Sequence, residues 1–341
     1  MSVQICRFLV RRHGLSITLA FCAVLVTGCK SGGSVPAEPK QAAQPPFMSA
    51  VAGNAPASAD EAPLPAKTDG FDGKRAYEQV VKQVSFGPRP AGSPALAKLQ
   101  EYLEAELKAY GCSADTDSFS ADTPAGRLSM KNLLVKIPAA KKDAQIILLG
   151  THYDTKRLED FVGADDGGSS TGVMLELARV LCAQKQPGKY AVWIAFFDGE
   201  EAVNRDWRDP DNRYGSRQMA ARLSASGDLK QVKVFLLADL VGSKRLRLMR
   251  ESNSTKSFAD VVWKTGQRLG YKDVFVDQQT EISDDHLSFL SRGVPSVDVI
   301  DLETSASYWH TPQDTLDKVS PRSLAIVGHT LLETVKGLQE K

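Results

Sequence analysis

The hydrophobic pattern alternates between short apolar runs and longer stretches with helical spacing, from about Gly70 to the C-terminus. Continuous apolar runs are typical of strands buried on both faces, and a repeat of three and four residues is typical of an amphipathic helix. Leu96, Leu99 and Leu103 show the helical repeat after Ser93. Predicted strands cover 112–119, 128–137, 145–150, 190–197, 232–238 and 296–300; predicted helical stretches cover 76–84, 94–110, 171–181, 216–223, 258–269 and 321–338.

This alternation predicts the fold class. Strands that alternate with helices build a sheet with helices on both faces. Neither an internal repeat nor a second boundary interrupts the pattern. We therefore expect residues 70–341 to form one α/β domain of three layers, in which a mixed, mostly parallel β-sheet is flanked by helices.

The first 29 residues have the pattern of an export signal. Three arginines precede an apolar run, 15–26, that is too short to span a membrane comfortably. The run ends in Val-Thr-Gly-Cys, which resembles a bacterial lipoprotein signal with Cys29 as the lipidated residue. An ordinary secretory signal or a short anchor helix is the alternative. Since Lys30 gives no inner-membrane retention signal, we expect a lipid anchor at the periplasmic face of the outer membrane.

Residues 30–69 are rich in Pro, Ala, Ser and Gly and lack apolar periodicity, which predicts a disordered tether. Removal of residues 1–29 takes away three arginines and no acid, so the formal charge falls from +1 to −2. No basic face therefore argues for nucleic acid. We expect a monomer that meets the membrane only through its lipid anchor.

Two of the five cysteines, Cys112 and Cys182, lie outside the signal segment. They have no metal-binding spacing, and an exported location permits a disulfide without requiring one. The sequence favours two buried, chemically idle cysteines and leaves their pairing open.

One apolar run stops at a cluster of acids. The segment Tyr190–Ala202 reads YAVWIAFFDGEEA and brings Asp198, Glu200 and Glu201 to the end of a strand, where α/β sheets place their ligand crevice. Neighbouring carboxylates beside an apolar core repel each other and lose solvation, so they need a cation or a shared proton. A solvated Glu-Glu pair on a loop is the alternative for this dipeptide alone.

Other predicted strands and loops also carry groups that bind metals. Histidine and carboxylate side chains are the expected ligands of a catalytic zinc ion, and Asp166, Glu201 and His310 could supply three of them. A hydrogen-bonded structural role is the alternative for any one histidine alone. Together with the strand-end acids, however, they predict a metal site. The further candidates are His152, Asp154, Asp165 and Asp239.

The order of these residues resembles the M28 clan of zinc aminopeptidases. Within that clan the sequence motifs are more similar to those of the animal-type glutaminyl-peptide cyclotransferases, or glutaminyl cyclases, and their bacterial relatives. The similar segments span most of the predicted domain. They are HYDTK at 152–156, FVGA at 161–164, MLELA at 174–178, FFDGEEA at 196–202, YGSR at 214–217, DDHLSFLSRGVP at 284–295 and WHT at 309–311.

The resemblance implies a role for each matching residue. Glu200 would be the proton shuttle, Asp239 and Asp284 would belong to its hydrogen-bond network, and Trp309 would line the substrate pocket. Trp207 resembles the loop tryptophan of the cyclases, although it lies one residue further from the Glu pair. One zinc ion would be held by Asp166, Glu201 and His310.

Two positions depart from the animal enzymes. Asp165 replaces an uncharged residue and offers a second carboxylate beside Asp166. Asp298 occupies the place of a histidine that joins the aspartate network in those enzymes. Both departures concern the detailed proton network.

These residues suit the conversion of an N-terminal glutamine to pyroglutamate. Zinc would polarise the γ-carbonyl, and Glu200 would pass a proton from the α-amine to the departing ammonia. The alternative is an M28-type aminopeptidase with two metal ions, because His152 and Asp239 would complete a two-metal set. A non-catalytic peptide-binding lipoprotein is a third hypothesis, which the intact Glu200 and ligand set disfavour.

Overall fold

The computed structural model describes residues 60–340. Eight strands and eight α-helices alternate along this part of the chain. The strands are β1 (Ala114–Thr123), β2 (Gly126–Ile137), β3 (Ile146–His152), β4 (Ala191–Phe197), β5 (Val232–Asp239), β6 (Leu248–Glu251), β7 (Phe275–Thr280) and β8 (Ser296–Ile300). The helices are α1 (Gly73–Val84), α2 (Pro94–Ala109), α3 (Gly168–Cys182), α4 (Tyr214–Ser226), α5 (Lys256–Arg268), α6 (His286–Leu290), α7 (Leu302–Ser305) and α8 (Pro321–Glu340).

The main sheet has six strands in the order β1-β2-β4-β3-β5-β8. β1 and β2 pair antiparallel, as do β2 and β4, whereas β4, β3, β5 and β8 run parallel to one another. The expected mixed, mostly parallel sheet is confirmed. Because the four parallel strands end at one edge, their last residues and the loops that follow meet there. We call this edge the cavity edge.

The sheet is buried on both faces, as its apolar runs predict. Along β4, Ile194 and Phe196 join the core beneath α1, α2, α3 and α8, while Ala195 and Phe197 join the core beneath α4 and α6. Successive side chains of a strand point to opposite faces, so one strand supplies both cores. This arrangement gives the three expected layers. We call α1, α2, α3 and α8 the helical layer.

The structure differs from the expectations in three places. The packed chain begins before the predicted boundary at Gly70, since Ala62 and Thr68 are buried and a 3-10 helix covers Pro65–Lys67. The sequence pattern also missed β6, β7, α6 and α7, which are short or polar. Cys112 and Cys182 form a disulfide, so the expectation of chemically idle cysteines was wrong.

The signal segment, its Cys29 and most of the predicted tether lie outside the described residues. Within residues 60–340, no helix is both long enough and apolar enough to cross a bilayer.

Candidate active site

The Glu200-Glu201 pair lies in a tight turn at the end of β4. Gly199 adopts φ +70°, and a Cβ there would come within 2.7 Å of the Met130 sulfur, so the turn favours glycine. The backbone N–H groups of Glu200 and Glu201 donate to the Asp154 carboxylate at 3.0 and 3.3 Å. Asp154 follows the neighbouring strand β3 and thus fixes the turn. The sequence offered Asp154 only as a further ligand candidate, and its role in fixing the turn was not predicted.

Three of the predicted ligands come together at the cavity edge. Asp166 arises from the loop before α3, Glu201 from the turn after β4 and His310 from the loop after α7. Their ligand atoms all lie within 4.8 Å of one another. His310 Nε2 lies 3.1 Å from Glu201 Oε1 and 3.3 Å from Asp166 Oδ2. We call these residues the ligand cluster.

The ligand cluster fits a divalent cation. Asp166 Oδ2 and Glu201 Oε2 are buried without a hydrogen-bond donor, and two such carboxylates repel each other unless a cation lies between them. Burial raises the pKa of Glu201, and Asp166 raises it further. Burial opposes ionisation of Asp166 as well, but His152 and His310 hold its pKa well below the usual range. One imidazole and two carboxylates are a ligand set typical of catalytic zinc.

A second group of three shares Asp166. It comprises His152, Asp166 and Asp239, whose ligand atoms also lie within 4.8 Å of one another. His152 Nε2 lies 3.0 Å from Asp239 Oδ1 and 3.3 Å from Asp166 Oδ1. Asp166 thus turns one oxygen toward His310 and the other toward His152. This geometry keeps the two-metal alternative open.

The acids named for proton transfer border the same cavity. Burial raises the pKa of Glu200 well above its usual range, His152 opposes this shift and Asp284 adds to it. Burial also raises the pKa of Asp239, against the charge of His152, and that of Asp284 to about 6. Glu200, Asp239 and Asp284 therefore hold protons more readily than free carboxyls, as a group that must exchange protons near neutrality requires.

Asp298 lies beneath this network and is fully buried. Its Oδ2 is 3.4 Å from His286 Nδ1, and the other ring nitrogen of His286 is 3.2 Å from Glu251 Oε2. Asp298 thus faces an imidazole that α6 supplies. Neither His286 nor Glu251 was assigned a role from the sequence.

The cavity at this edge has a volume of about 210 Å³. Trp207 and Trp309, the two tryptophans expected to contact substrate, both line it with Glu200 and the ligand cluster. The Trp309 ring stacks on His310 with its centroid 3.9 Å away. The remaining lining is half apolar, from Leu240, Ile282, Ile300 and Leu302, and half polar, from Asp239, Glu281, Ser283 and Asp284. Such a cavity suits a small side chain that has one polar end.

Asp165 does not join the ligand cluster. Its carboxylate points away and accepts hydrogen bonds from Tyr308 Oη, Ser305 Oγ and Gly242 N. Asp314 accepts from the backbone N–H groups of both Asp165 and Asp166. Asp165 is therefore no alternative ligand, because neither oxygen faces the cavity side of the loop.

Comparison with known proteins gives relatives of two kinds. The mouse glutaminyl-peptide cyclotransferase-like protein is 29% identical over 263 residues, which are 68% of this chain and 67% of the relative. The crystal structure of a glutaminyl cyclase from an Acidobacteriales bacterium is 38% identical with a TM-score of 0.75 and covers 84% of this chain and 99% of its own. A leucine aminopeptidase precursor from Bacteroides thetaiotaomicron is 26% identical with a TM-score of 0.69, and covers 78% of this chain and 97% of its own.

A sequence profile described as peptidase family M28 matches residues 132–335. This match is more than half of the chain and contains β3, β4, β5 and the loops that carry the ligand cluster. The order of the ligands along the chain, their convergence at the cavity edge and this match agree, and the chain belongs to peptidase family M28.

Proposed function

We propose that this protein is a zinc-dependent glutaminyl-peptide cyclotransferase, which converts the N-terminal glutamine of peptides to pyroglutamate and releases ammonia. The observation that carries the proposal is the cavity itself. It places Glu200 and a three-residue ligand cluster beside two tryptophans in a space suited to one small side chain. The similarity to solved bacterial glutaminyl cyclases over nearly their whole length supports it.

Asp166, Glu201 and His310 would hold one zinc ion, with a position left open toward the cavity. A bound zinc ion would supply a Lewis acid for the negative charge that develops on the γ-carbonyl oxygen. The chain supplies orientation and proton transfer.

Cyclisation forms a bond between the α-nitrogen and the γ-carbon of glutamine and breaks the bond from that carbon to the amide nitrogen. Glu200 accepts the proton that the α-amine loses and delivers it to the amide nitrogen, which leaves as ammonia. The proton and both nitrogens are thus accounted for within one substrate and one carboxylate. Asp154 holds Glu200 in place through its backbone N–H, and positioned groups of this kind raise the rate without a separate nucleophile.

Trp309 is held by its stack on His310 and forms one wall for the glutamine side chain. Trp207 supplies another part of the lining. Apolar walls of this kind bury the two methylenes of glutamine and keep bulk water from the reacting carbonyl.

The test is incubation of the zinc-loaded protein with a peptide that begins with glutamine, followed by mass spectrometry. We expect the loss of one ammonia per peptide at a rate above the uncatalysed reaction. The same peptide with an acetylated N-terminus should stay unchanged, because its nitrogen cannot attack. Release of free glutamine with a shortened peptide would contradict the proposal.

The second candidate function is an aminopeptidase with two metal ions. The group of His152, Asp166 and Asp239 favours it, since Asp166 offers a separate oxygen to each ligand group. Metal content separates the two hypotheses. One zinc ion per chain with ammonia as product supports the cyclase, and two ions with a free amino acid as product support the peptidase.

We also propose that the protein is exported and anchored through a lipid on Cys29. The disulfide between Cys112 and Cys182 supports an oxidising compartment. Labelling of cells with a radioactive or clickable fatty acid should mark the wild-type protein and leave Cys29→Ala unmarked. Equal labelling of both would refute the anchor.

A further inference from the structure

The backbone at His310 adopts a conformation that its residue type disfavours. Its φ is +52°, in the left-handed region, where a side chain with a Cβ is crowded by the backbone. Such a conformation persists only where the surrounding contacts enforce it. The ligand His310 therefore depends on contacts elsewhere in its loop.

Those contacts centre on the buried Asp165 carboxylate. Tyr308 Oη donates to Asp165 Oδ2 at 2.7 Å, and Ser305 Oγ donates to the same oxygen at 3.0 Å. The other oxygen accepts from Gly242 N at 2.7 Å. Gly242 lies in the turn after β5, where a Cβ would come within 2.9 Å of this carboxylate. One carboxylate thus joins the loop of Asp166, the loop of His310 and the turn after β5.

Asp314 completes this connection from the other end of the His310 loop. Its two oxygens accept from Asp165 N at 2.8 Å and Asp166 N at 3.0 Å. The His310 loop is therefore hydrogen-bonded to the Asp166 loop at two points. One is Tyr308, before His310, and the other is Asp314, after it. The side chains of Asp165, Ser305, Tyr308 and Asp314 are nearly or fully buried, so water does not compete for their hydrogen bonds.

We infer that Asp165 and Tyr308 are positioning residues that set the separation of the ligands Asp166 and His310, and so the affinity for metal. The inference rests on the proposed function only in that the ligand cluster holds a metal ion. Neither residue touches the cavity: Tyr308 acts two residues from His310, and Asp165 acts through the adjacent Asp166. This positioning role gives a reason for the carboxylate at position 165.

The test is the variant Tyr308→Phe, which removes one hydroxyl and keeps the ring. Zinc affinity of the metal-stripped protein is measured by titration calorimetry, and its thermal unfolding is measured without metal. We expect the dissociation constant for zinc to rise about tenfold, the lower end of the range for direct partners of metal ligands, because Tyr308 acts through Asp165. The matched control is Tyr271→Phe, which removes a hydroxyl that contacts His329 on α8; it should leave zinc affinity unchanged.

A purely structural role would lower the unfolding temperature of Tyr308→Phe and leave its zinc affinity at the wild-type value, and that result would overturn the inference. Ser305→Ala removes the longer hydroxyl contact and gives a gentler second test, with a smaller loss of zinc affinity expected. Wild-type protein that binds no zinc would instead refute the metal site, and the inference with it. Asp165→Asn should bind zinc better than Asp165→Ala, because the amide oxygen can still accept from both hydroxyls, and worse than the wild type, because the amide NH2 cannot accept from Gly242 N.

Discussion

Two buried glutamates, one in the helical layer and one at the cavity edge, differ in their hydrogen-bonding partners. Glu176, on α3, is 1% exposed and accepts from Asp72 N at 2.9 Å and from the Arg179 guanidinium. Glu201 is 3% exposed, but its one hydrogen-bonding partner is a histidine; its Oε2 has no donor within hydrogen-bond distance and faces the buried Lys156 Nζ at 3.7 Å. Burial is nearly equal, so the difference lies in the partners.

The same contrast holds for the backbone around them. Leu240 and His310, both at the cavity edge, have φ values of +48° and +52°. Within residues 60–340, by contrast, no non-glycine residue of α1, α2, α3 or α8 has a positive φ. Unsatisfied carboxylates and strained residues cost stability and are retained where a ligand compensates. The helical layer stabilises the fold, and the cavity edge is arranged for a cation and a substrate.

The largest effect is expected from Glu200→Gln, which removes the proton shuttle from the cavity edge. The turnover number should fall about 10²- to 10⁴-fold, the usual contribution of a positioned acid-base group. Zinc affinity and the circular dichroism spectrum should match the wild type, because the ligand cluster is intact. Cyclisation assays at saturating zinc measure the loss, and undiminished turnover would refute the shuttle role.

In the helical layer, the largest effect on stability is expected from removal of the disulfide. It links residues 70 apart, between the segment before β1 and the last residue of α3. In the chain-entropy account a loop of this length stabilises the fold by about 4 kcal/mol. The variant Cys112→Ala/Cys182→Ala should lose most of this in urea unfolding, while its refolded molecules keep the wild-type zinc affinity. A changed zinc affinity would show that the two regions are coupled.

Glu201→Gln separates stability from function at one position. Loss of a ligand should weaken zinc binding at least tenfold. The metal-free variant should be as stable as the metal-free wild type or more stable, because burial and Asp166 disfavour the Glu201 charge more than His310 and Lys156 favour it. Urea unfolding in the presence of a chelator measures this. A clear loss of stability without metal would contradict the contrast with Glu176.

Glu176→Gln is the matched change in the helical layer. It weakens charge-assisted hydrogen bonds that partly exposed arginines donate, so the expected loss is about 1–3 kcal/mol of unfolding free energy. Zinc affinity and turnover per folded molecule should not change. Reduced turnover at full folding would mean that α3 also positions the site.

The sequence predicted the metal ligands better than it predicted the residues that hold those ligands in position. Asp166, Glu201 and His310 were predicted from their metal-binding residue types and from a family resemblance, and the structure brings them together. Asp314 and Tyr308 gave no such signal. A buried carboxylate that accepts backbone N–H groups looks like any loop aspartate until the partner loop is in place.

Among the strands, too, some were predicted from the sequence and others were not. Strands with continuous apolar runs, such as β4 and β8, were predicted within one residue, because burial on both faces leaves no alternative pattern. β7 reads FVDQQT and has exposed residues in its middle, so its sequence carries no strand period. Its pairing with β6 depends on tertiary contacts that local patterns do not record.

The smallest effect concerns Glu251, a third buried glutamate, which ends β6 beneath the proton network. Burial opposes its ionisation, but His286 and the backbone of Asn253 lower its pKa from 4.5 to about 2. A lowered pKa in the folded state stabilises the fold above pH 4.5, and this stabilisation is lost as the pH falls toward 2. At pH 7, Glu251→Gln should therefore be less stable than the wild type by about 1–2 kcal/mol, and the difference should shrink between pH 4.5 and 3. Urea unfolding of both proteins across that range measures the difference, and a gap that stays constant would show that Glu251 acts through packing, as an uncharged member of the core.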